Sequence, residues 1–476
     1  MKKNQTNFSD WPALVPALDR AGPRHRALYA AIRAGILSGA LPAGARLPPS
    51  RVLAAGLGLS RGAVVTAYDM LVADGFAEAR VGSGTHVAGQ VPRVAADLPA
   101  PPADPAHDPD YGLPGDLGLA TVEPRSLQQF RAILHRQMAR PPRAQFAYGD
   151  ARGDAGLRGE IAAWLALSRG VKAHPDQIVL TAGTQGALDL IARAVLRPGM
   201  PVWIEDPGYP MARAAFCAQQ LVPVPVDGQG LDVAAGIARS PEAAAAYLTP
   251  SHQFPTGVVL TMPRRLALLD WAVGAGAWLI EDDYDSEFRH AGQPLAALQG
   301  MDGAGRVIYV GTFSKTLMPG LRLGYMILPE PLLAPVLSLR RRADRYPPTL
   351  AEAALAEFLR DGHFAAHLRR ARRSTLAARD ALVAALHAGG LQAVAPDQGL
   401  HLVAPLPEGC DDRAMARAAR ASGFGTRALS PMYLGSCPRP GLVIGFSGHT
   451  PDALQSAARR WLTDGGICTI SVRSGH

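Results

Sequence analysis

Residues 24–38, RHRALYAAIRAGILS, carry Leu28, Ala31, Ile32, Ile36 and Leu37 at helical spacing, and Gly39 follows. Ser50 is placed to cap a second helix, RVLAAGLG. Leu57-Gly58-Leu59 reads as a tight turn, and Ser60 is placed to cap a third helix, RGAVVTAYDMLVADG. Two short alternating runs, FAEAR and THVAG, are joined by Val81-Gly82-Ser83-Gly84, a hairpin signal. Helix, helix-turn-helix and hairpin in that order predict a winged helix over residues 1–88. Residues 89–122 lose all periodicity and are dominated by Pro, Ala and Asp, which predicts a partly extended linker between separately folded domains. From residue 123 the pattern changes again. Short apolar runs (178–181, 202–206, 246–250, 277–282, 307–311 and 324–328) alternate with helical stretches. That alternation predicts an α/β domain with a mainly parallel sheet over 123–476. From about 340 the chain becomes helical and arginine-rich, with one late strand-like run at 442–447, which predicts a smaller C-terminal α+β subdomain.

Charge sharpens the first domain. Residues 1–88 hold ten Lys/Arg against five Asp/Glu, so +5 of the chain's formal +8 lies there. A basic N-terminal module suits a polyanion, and double-stranded DNA is the expected partner of a winged helix. The four cysteines (Cys217, Cys410, Cys437, Cys468) form no C-x-x-C, which argues against a zinc site or a disulfide framework. No apolar leader and no run long enough to span a bilayer is present, so a cytoplasmic protein is expected. Lysine is rare: among 48 Lys/Arg, only Lys2, Lys3, Lys172 and Lys315 are lysines. A lysine kept deep in such a chain suggests a position where guanidinium will not serve, because an amine forms an imine and a guanidinium does not.

In open α/β sheets, ligands bind beyond the carboxyl ends of the strands. After IVLT comes Ala182-Gly183-Thr184-Gln185-Gly186, small residues and a hydroxyl opening a helix, an anion cradle. VWIED is followed by Pro207-Gly208-Tyr209, and AYLTP by Ser251-His252-Gln253-Phe254-Pro255-Thr256-Gly257. AWLIE leads into Asp282-Asp283-Tyr284, which could also be a solvated strand end or a metal pair. VIYVG leads into Thr312-Phe313-Ser314-Lys315, with Arg322 seven residues on. A phosphate cradle, a stacking ring, a carboxylate, a phenol and a lone lysine are together what pyridoxal 5'-phosphate requires.

These segments resemble a known family. SRGAVVTAYDMLVADGFAEARVGSGTHV is similar to the GntR-type winged helix. TAGTQGALDL, EDPGYP, TPSHQFPTG, IEDDYDSEFR and GTFSKTLMPGLRLGY resemble the fold-type I, aminotransferase-like domain of MocR-subfamily regulators. The resemblance implies Lys315 as the Schiff-base lysine, Asp282 as partner of the pyridine nitrogen, Tyr284 on the phenolate oxygen and Tyr209 stacked on the ring. It implies Gly183, Thr184, Gln185, Thr312, Ser314 and Arg322 around the phosphate. Tyr148 resembles a tyrosine that reaches the phosphate across a homodimer interface, and it reads equally as a packing residue of its own subunit. In the DNA-binding part, Arg61 is the expected base-reading residue, Arg51 and Ser60 the phosphate contacts, with Gly62 and Ala63 beside them and Ser83, Gly84 and Thr85 in the wing.

The chain departs from the family pattern at four places. Ser60-Arg61-Gly62-Ala63 lacks the threonine common at its end. Phe254 stands where an asparagine is usual, so Gln253 or Tyr284 is expected to serve the phenolate. Val443 and Met211 stand where arginines would hold a substrate carboxylate, and the arginines of 369–373 read either as compensation or as a solvated helix face. These losses point to a PdxR-like regulator whose effector is pyridoxal phosphate and whose targets are vitamin B6 genes. The alternatives are a regulator that catches an amino acid or amine at the bound cofactor, and a working aminotransferase with an appended DNA-binding domain.

Overall fold

The computed structural model describes residues 22–90, 112–141, 147–292, 295–347, 350–435 and 437–463. The chain separates into two compact units, Met1–His107 and Asp108–His476.

The first unit holds α1 (Arg24–Leu37), α2 (Ser50–Leu57), α3 (Arg61–Ala73) and the antiparallel hairpin β1 (Ala77–Arg80) and β2 (Gly84–Val87). The apolar stripe of α1, Leu28, Ile32 and Ile36, packs on Leu53, Val64, Ala67 and Leu71 of the other two helices and on Phe76 and Val87 of the hairpin. Ser60 caps α3 by accepting from the Ala63 N–H at 3.2 Å. Ser50 is the first residue of α2 and makes no cap; Pro49 takes the cap position. A proline there costs nothing, since the first helical N–H groups have no partner within the helix. Gly58 ends α2 in the left-handed conformation that a side chain resists.

The second unit is built on an eight-stranded sheet: β3 (Ile178–Thr181), β4 (Pro201–Asp206), β5 (Gln220–Asp227), β6 (Gly230–Leu231), β7 (Ala245–Leu248), β8 (Trp278–Asp283), β9 (Val307–Thr312) and β10 (Gly324–Ile327). The spatial order is β3-β10-β9-β8-β7-β4-β5-β6. Pairing is parallel from β9 through β8, β7 and β4 to β5. β10 is antiparallel to both its neighbours, so β3 points the same way as β9. The central strands are almost wholly buried because helices cover both faces, while β5 near the edge is mostly half-buried or exposed. One face meets α4 (Pro124–Ala139), α5 (Ala155–Arg169) and, further along the sheet, helices after β6 and β7. The other meets α6 (Gly183–Ala194) and α7 (Pro210–Ala215). The helices after β6, β7 and β8 are α8 (Val233–Arg239), α9 (Met262–Ala275) and α10 (Leu298–Met301). α11 (Glu330–Ala343) joins α6 and α7 on their face.

Then α12 (Glu352–Arg360) and the long α13 (His363–Ala388) lead into a three-stranded antiparallel sheet, β11 (His401–Pro405), β12 (Arg427–Ala428) and β13 (Gly441–Gly445), backed by α14 (Asp412–Ala421) and α15 (Pro451–Thr463). The small subdomain therefore begins later than residue 340. Leu355, Phe358, Phe364 and Leu368 belong to the large core with α4 and α5, and only from Ala378 does α13 pack on the small sheet. The linker likewise ends earlier than residue 122. Gly115 accepts from the Gly445 N–H at 2.8 Å, Asp116 pairs with Arg420 at 2.7 Å and Leu119 accepts from the Ser447 hydroxyl at 2.5 Å. Residues 112–121 are thus a strap on the small subdomain. Their irregular sequence hides this, because the strap is held by backbone groups and carries no periodicity to read.

On the sheet face beneath α8, the Trp203 ring stacks on Trp271 with centroids 3.7 Å apart. Gly236 lets the helix approach: a Cβ there would lie 2.7 Å from the Trp203 ring. Gly236→Ala is expected to lower unfolding free energy by about 1–3 kcal/mol through forced displacement of the stack, measured by urea denaturation. A gain in stability would show that the helix can shift freely.

Candidate functional site

The carboxyl ends of β3, β4, β7, β8 and β9 lie along one edge of the sheet, and their loops converge there. At the end of β8 the pleat sends successive side chains to opposite faces. Asp283 pairs with Arg169 at 2.8 Å and accepts from the Tyr309 hydroxyl at 2.5 Å. Asp282 turns the other way, and its Oδ2 accepts from the Tyr247 hydroxyl at 2.7 Å. The two carboxylates do not form a metal pair. Asp282 is buried, and its Oδ1 has no partner. Burial pushes its carboxyl up to about 7, against the Tyr247 hydrogen bond, which pulls it down.

Lys315 follows β9 and donates from Nζ to the carbonyl of Gly118 in the strap at 3.1 Å. Burial lowers its amine below the ordinary lysine value, opposed by the charges of Asp285 and Asp282. A neutral amine is the nucleophilic form, and burial shifts Lys315 in that direction. The Tyr209 ring packs edge-on to Phe254 with centroids 5.4 Å apart. Burial raises its phenol to about 12, while the Arg427 and Arg322 guanidinium groups pull it down.

Gly183 opens α6 with φ +73°, and a Cβ there would still clear the Arg322 guanidinium at 3.8 Å. Arg322 itself holds φ +51°, rare for a side-chain-bearing residue, and donates to the Ala182 carbonyl at 3.1 Å. Thr184 and Gln185 stand in the first turn of α6, where Gln185 donates to the Met211 carbonyl at 3.1 Å. The Thr312 hydroxyl accepts from the Ser314 N–H at 3.1 Å and shapes the turn ahead of Lys315. Gln253 is committed to its own loop: its amide nitrogen donates to the Pro207 carbonyl at 2.9 Å, and its oxygen accepts from the Thr256 hydroxyl at 2.6 Å. Tyr284 donates to the His252 carbonyl at 3.0 Å.

Several residues here had no signal in the sequence. His252 Nδ1 lies 2.9 Å from Asp285 and 3.1 Å from the Tyr284 hydroxyl, and the His401 ring is centred 4.9 Å from that of His252. Burial drives His401 down to about 3, so it is neutral. Tyr247 and Gly118 were equally silent, since a tyrosine inside a strand and a glycine in an irregular segment are unremarkable. Of the arginines in 369–373, Arg370 pairs with Glu123 at 2.8 Å and Arg372 is tied to the Glu287 carbonyl. Tyr148 is 76% exposed, edge-on to Tyr346 at 5.9 Å and beneath the Arg345 guanidinium.

In the first unit, Arg51 at the start of α2 and Arg61 and Gly62 at the start of α3 are exposed, with Ala63 half-buried behind them. The Ser60 hydroxyl keeps its proton to donate while its oxygen caps the helix. Ser83, Gly84 and Thr85 lie at and beside the hairpin turn, with the Arg46 side chain against Gly84.

Residues 24–87 match the model of bacterial regulatory proteins of the gntR family, and residues 116–460 match aminotransferase class I and II. The probable rhizopine catabolism regulatory protein MocR of Rhizobium meliloti is 36% identical over 93% of this chain and 94% of its own length. The chain belongs to the MocR subfamily of GntR-type transcriptional regulators. The pyridoxine biosynthesis regulator PdxR of Corynebacterium glutamicum is 33% identical over 89% of this chain and 92% of its own. Among solved structures, an archaeal alanine:glyoxylate aminotransferase superposes with a TM-score of 0.69 at 27% identity, covering 74% of this chain and 90% of that one. The second unit of this regulator thus has the fold-type I aminotransferase architecture, and its first unit is a DNA-binding winged helix. No helix among the described residues is long and apolar enough to cross a membrane.

Five buried carboxyls of the regulator are raised by burial: Glu205 and Glu287 to about 8, and Glu281, Asp282 and Glu352 to about 7. Their unfolded values lie near 4, so the folded chain holds more protons between those limits and loses stability as pH rises through them. Four histidines held below their ordinary value act the opposite way, but only below about pH 6.5. The urea midpoint of the cofactor-free protein is expected to fall from about pH 6.5 to 8. A midpoint that rises across that interval would contradict this reading of the buried acids.

Proposed function

We propose that the second unit binds pyridoxal 5'-phosphate through Lys315 and that the regulator, a cytoplasmic homodimer, adjusts transcription of vitamin B6 genes to that cofactor. The observation that carries this reading is the meeting of Lys315 with Asp282, whose second oxygen is buried without a partner. A protonated pyridine nitrogen is the donor that Asp282 Oδ1 lacks. Tyr247 would hold the carboxylate in line by its other oxygen. Gly183, Thr184, Ser314 and Arg322 would surround the phosphate at the start of α6, where backbone N–H groups and the helix dipole favour an anion. Tyr209 would cover the ring, and Tyr284 is the phenol placed for the phenolate oxygen. Gln253 has both ends of its amide held within its own loop, so Tyr284 would take that role by turning its one O–H from the His252 carbonyl. When bound, pyridoxal phosphate supplies an electrophilic carbon for an amine and an electron-withdrawing ring.

The strap offers a physical link from the site toward DNA binding. Lys315 holds Gly118 only while it keeps an N–H to donate. Commitment of that nitrogen to a covalent bond would take two of its three N–H donors and compete with the contact, and the strap is the direct continuation of the segment leading from the winged helix. Tyr148, large and exposed, suits a homodimer contact across the site. The sequence similarity to PdxR supports the link to vitamin B6 genes.

The test is a mobility shift on the gene's own upstream DNA with and without pyridoxal phosphate. A cofactor-dependent change in the native protein, absent in Lys315→Ala although that variant still binds DNA, is the expected result. A cofactor response that survives Lys315→Ala would refute attachment as the trigger. Arg322→Gly should leave the cofactor-free melting temperature unchanged or higher, because glycine accepts φ +51° without strain. The same variant should weaken cofactor binding on the order of 10-fold or more, read by absorbance titration. Unchanged binding would remove Arg322 from the phosphate site.

A further inference from the structure

His252 follows β7, Asp285 follows β8 and His401 is the first residue of β11. Three segments far apart in sequence thus bring two imidazoles and a carboxylate together. A nitrogen of each ring and a carboxylate oxygen of Asp285 lie within 4.8 Å of one another, and each of the three residues is at most 4% exposed.

A buried polar ring is tolerated when its nitrogens are satisfied. Here each ring is held at one nitrogen. His252 Nδ1 lies 2.9 Å from Asp285 Oδ2, and His401 Nε2 lies 3.0 Å from the Pro255 carbonyl. Both oxygens are acceptors, so in the neutral rings these nitrogens carry the hydrogens, and the lone pairs fall on His252 Nε2 and His401 Nδ1. His252 Nε2 is sealed from water and has no partner. Room lies beside it. Gly257 has φ +78°, and the point a Cβ would take there is 3.2 Å from Nε2. Outside residues 256–258, only the His252 ring comes within 4 Å of that point.

A metal-binding histidine characteristically donates its second N–H to a carboxylate or a backbone carbonyl, which fixes the ring and aims the remaining lone pair. His252 has the carboxylate and His401 the carbonyl. Imidazole nitrogens suit zinc, copper and nickel, whereas magnesium and calcium take oxygen ligands. We propose that His252 and His401 bind a divalent ion of the zinc type through these lone pairs. Asp285 holds the His252 ring, and small exogenous ligands complete the coordination. Two zinc–nitrogen bonds of roughly 2.0–2.1 Å span up to about 4 Å. Small side-chain rotations within the cluster therefore suffice to close it on an ion. The two imidazoles belong to different sheets, His252 to the loop after β7 and His401 to the small sheet. A bound ion ties one to the other and stabilises the folded chain that holds it. Neither a cofactor nor Lys315 is needed for this site.

The test uses the full chain without a polyhistidine tag, cofactor-free and stripped by chelator. Equilibrium dialysis against Zn2+, with Mg2+ as the control, measures bound ion, and a thermal melt is recorded for each. The native chain is expected to retain one zinc ion and to melt at a higher temperature with it, with no response to Mg2+. His252→Gln and His401→Phe should each abolish that retention; phenylalanine keeps a ring at 401 while removing its lone pair. Asp285→Asn should weaken zinc binding on the order of 10- to 100-fold, the effect of losing an orienting carboxylate. Zinc held equally by both histidine variants places the ion elsewhere and overturns the proposal. A native chain that retains no zinc also overturns it, and leaves only a buried water to accompany Nε2. If a variant does not fold, Co2+ bound to the native chain decides. Visible bands of cobalt in nitrogen and oxygen ligation sustain the site, and thiolate charge-transfer bands or no bands at all overturn it.

Discussion

A carboxylate sealed from water with one oxygen satisfied and the other bare is costly, and the second unit is organised around such a group. Asp282 sits at the end of a buried strand, held by Tyr247 from one side and open on the other. An apolar core of the same shape would have no use for it, and a solvated strand end would not bury it. Its cost makes sense if a positively charged donor completes it. In the proposed reading, Lys315, Tyr209, Tyr284 and the opening of α6 would surround that donor.

The neighbouring acid shows how finely that arrangement depends on the pleat. Asp283 is one residue away and has the same chemistry, but it faces the opposite side of the sheet. There Arg169 and Tyr309 both hold its Oδ2 within the core, while its Oδ1, like that of Asp282, has no partner. One position along a strand separates an acid paired with an arginine from one whose partner is a tyrosine hydroxyl. The same rule acts in the small subdomain, where alternation along β12 and β13 sends Ala428 and Leu442 to the helices, and Arg427 and Val443 to the opposite face.

The strap of residues 112–121 joins these parts. It is fastened to the small subdomain through Gly115, Asp116 and Leu119, and it touches Lys315 through Gly118. A short segment with no regular structure thereby meets Lys315, the small subdomain and the chain leading from the winged helix. Coupling between a ligand and a distant domain needs an element whose contacts differ between two states, and the Lys315 contact is one that covalent attachment would change.

Much of the regulator was legible in its residues. Periodicity marked six of the eight strands of the large sheet, and turn chemistry marked the hairpin of the winged helix. The scarcity of lysine singled out Lys315, because local pattern and residue chemistry are properties of the chain itself. Hidden from it were β5, whose valines alternate with prolines that read as strand breakers, and every relation between residues distant in sequence. These include Gly118 against Lys315, His252 against Asp285, and Arg427 beside the row that Val443 occupies. By sequence, the missing carboxylate arginine looked like a loss of function. Strand register sets Arg427 beside that position, since only pairing across a sheet decides which side chains stand next to each other.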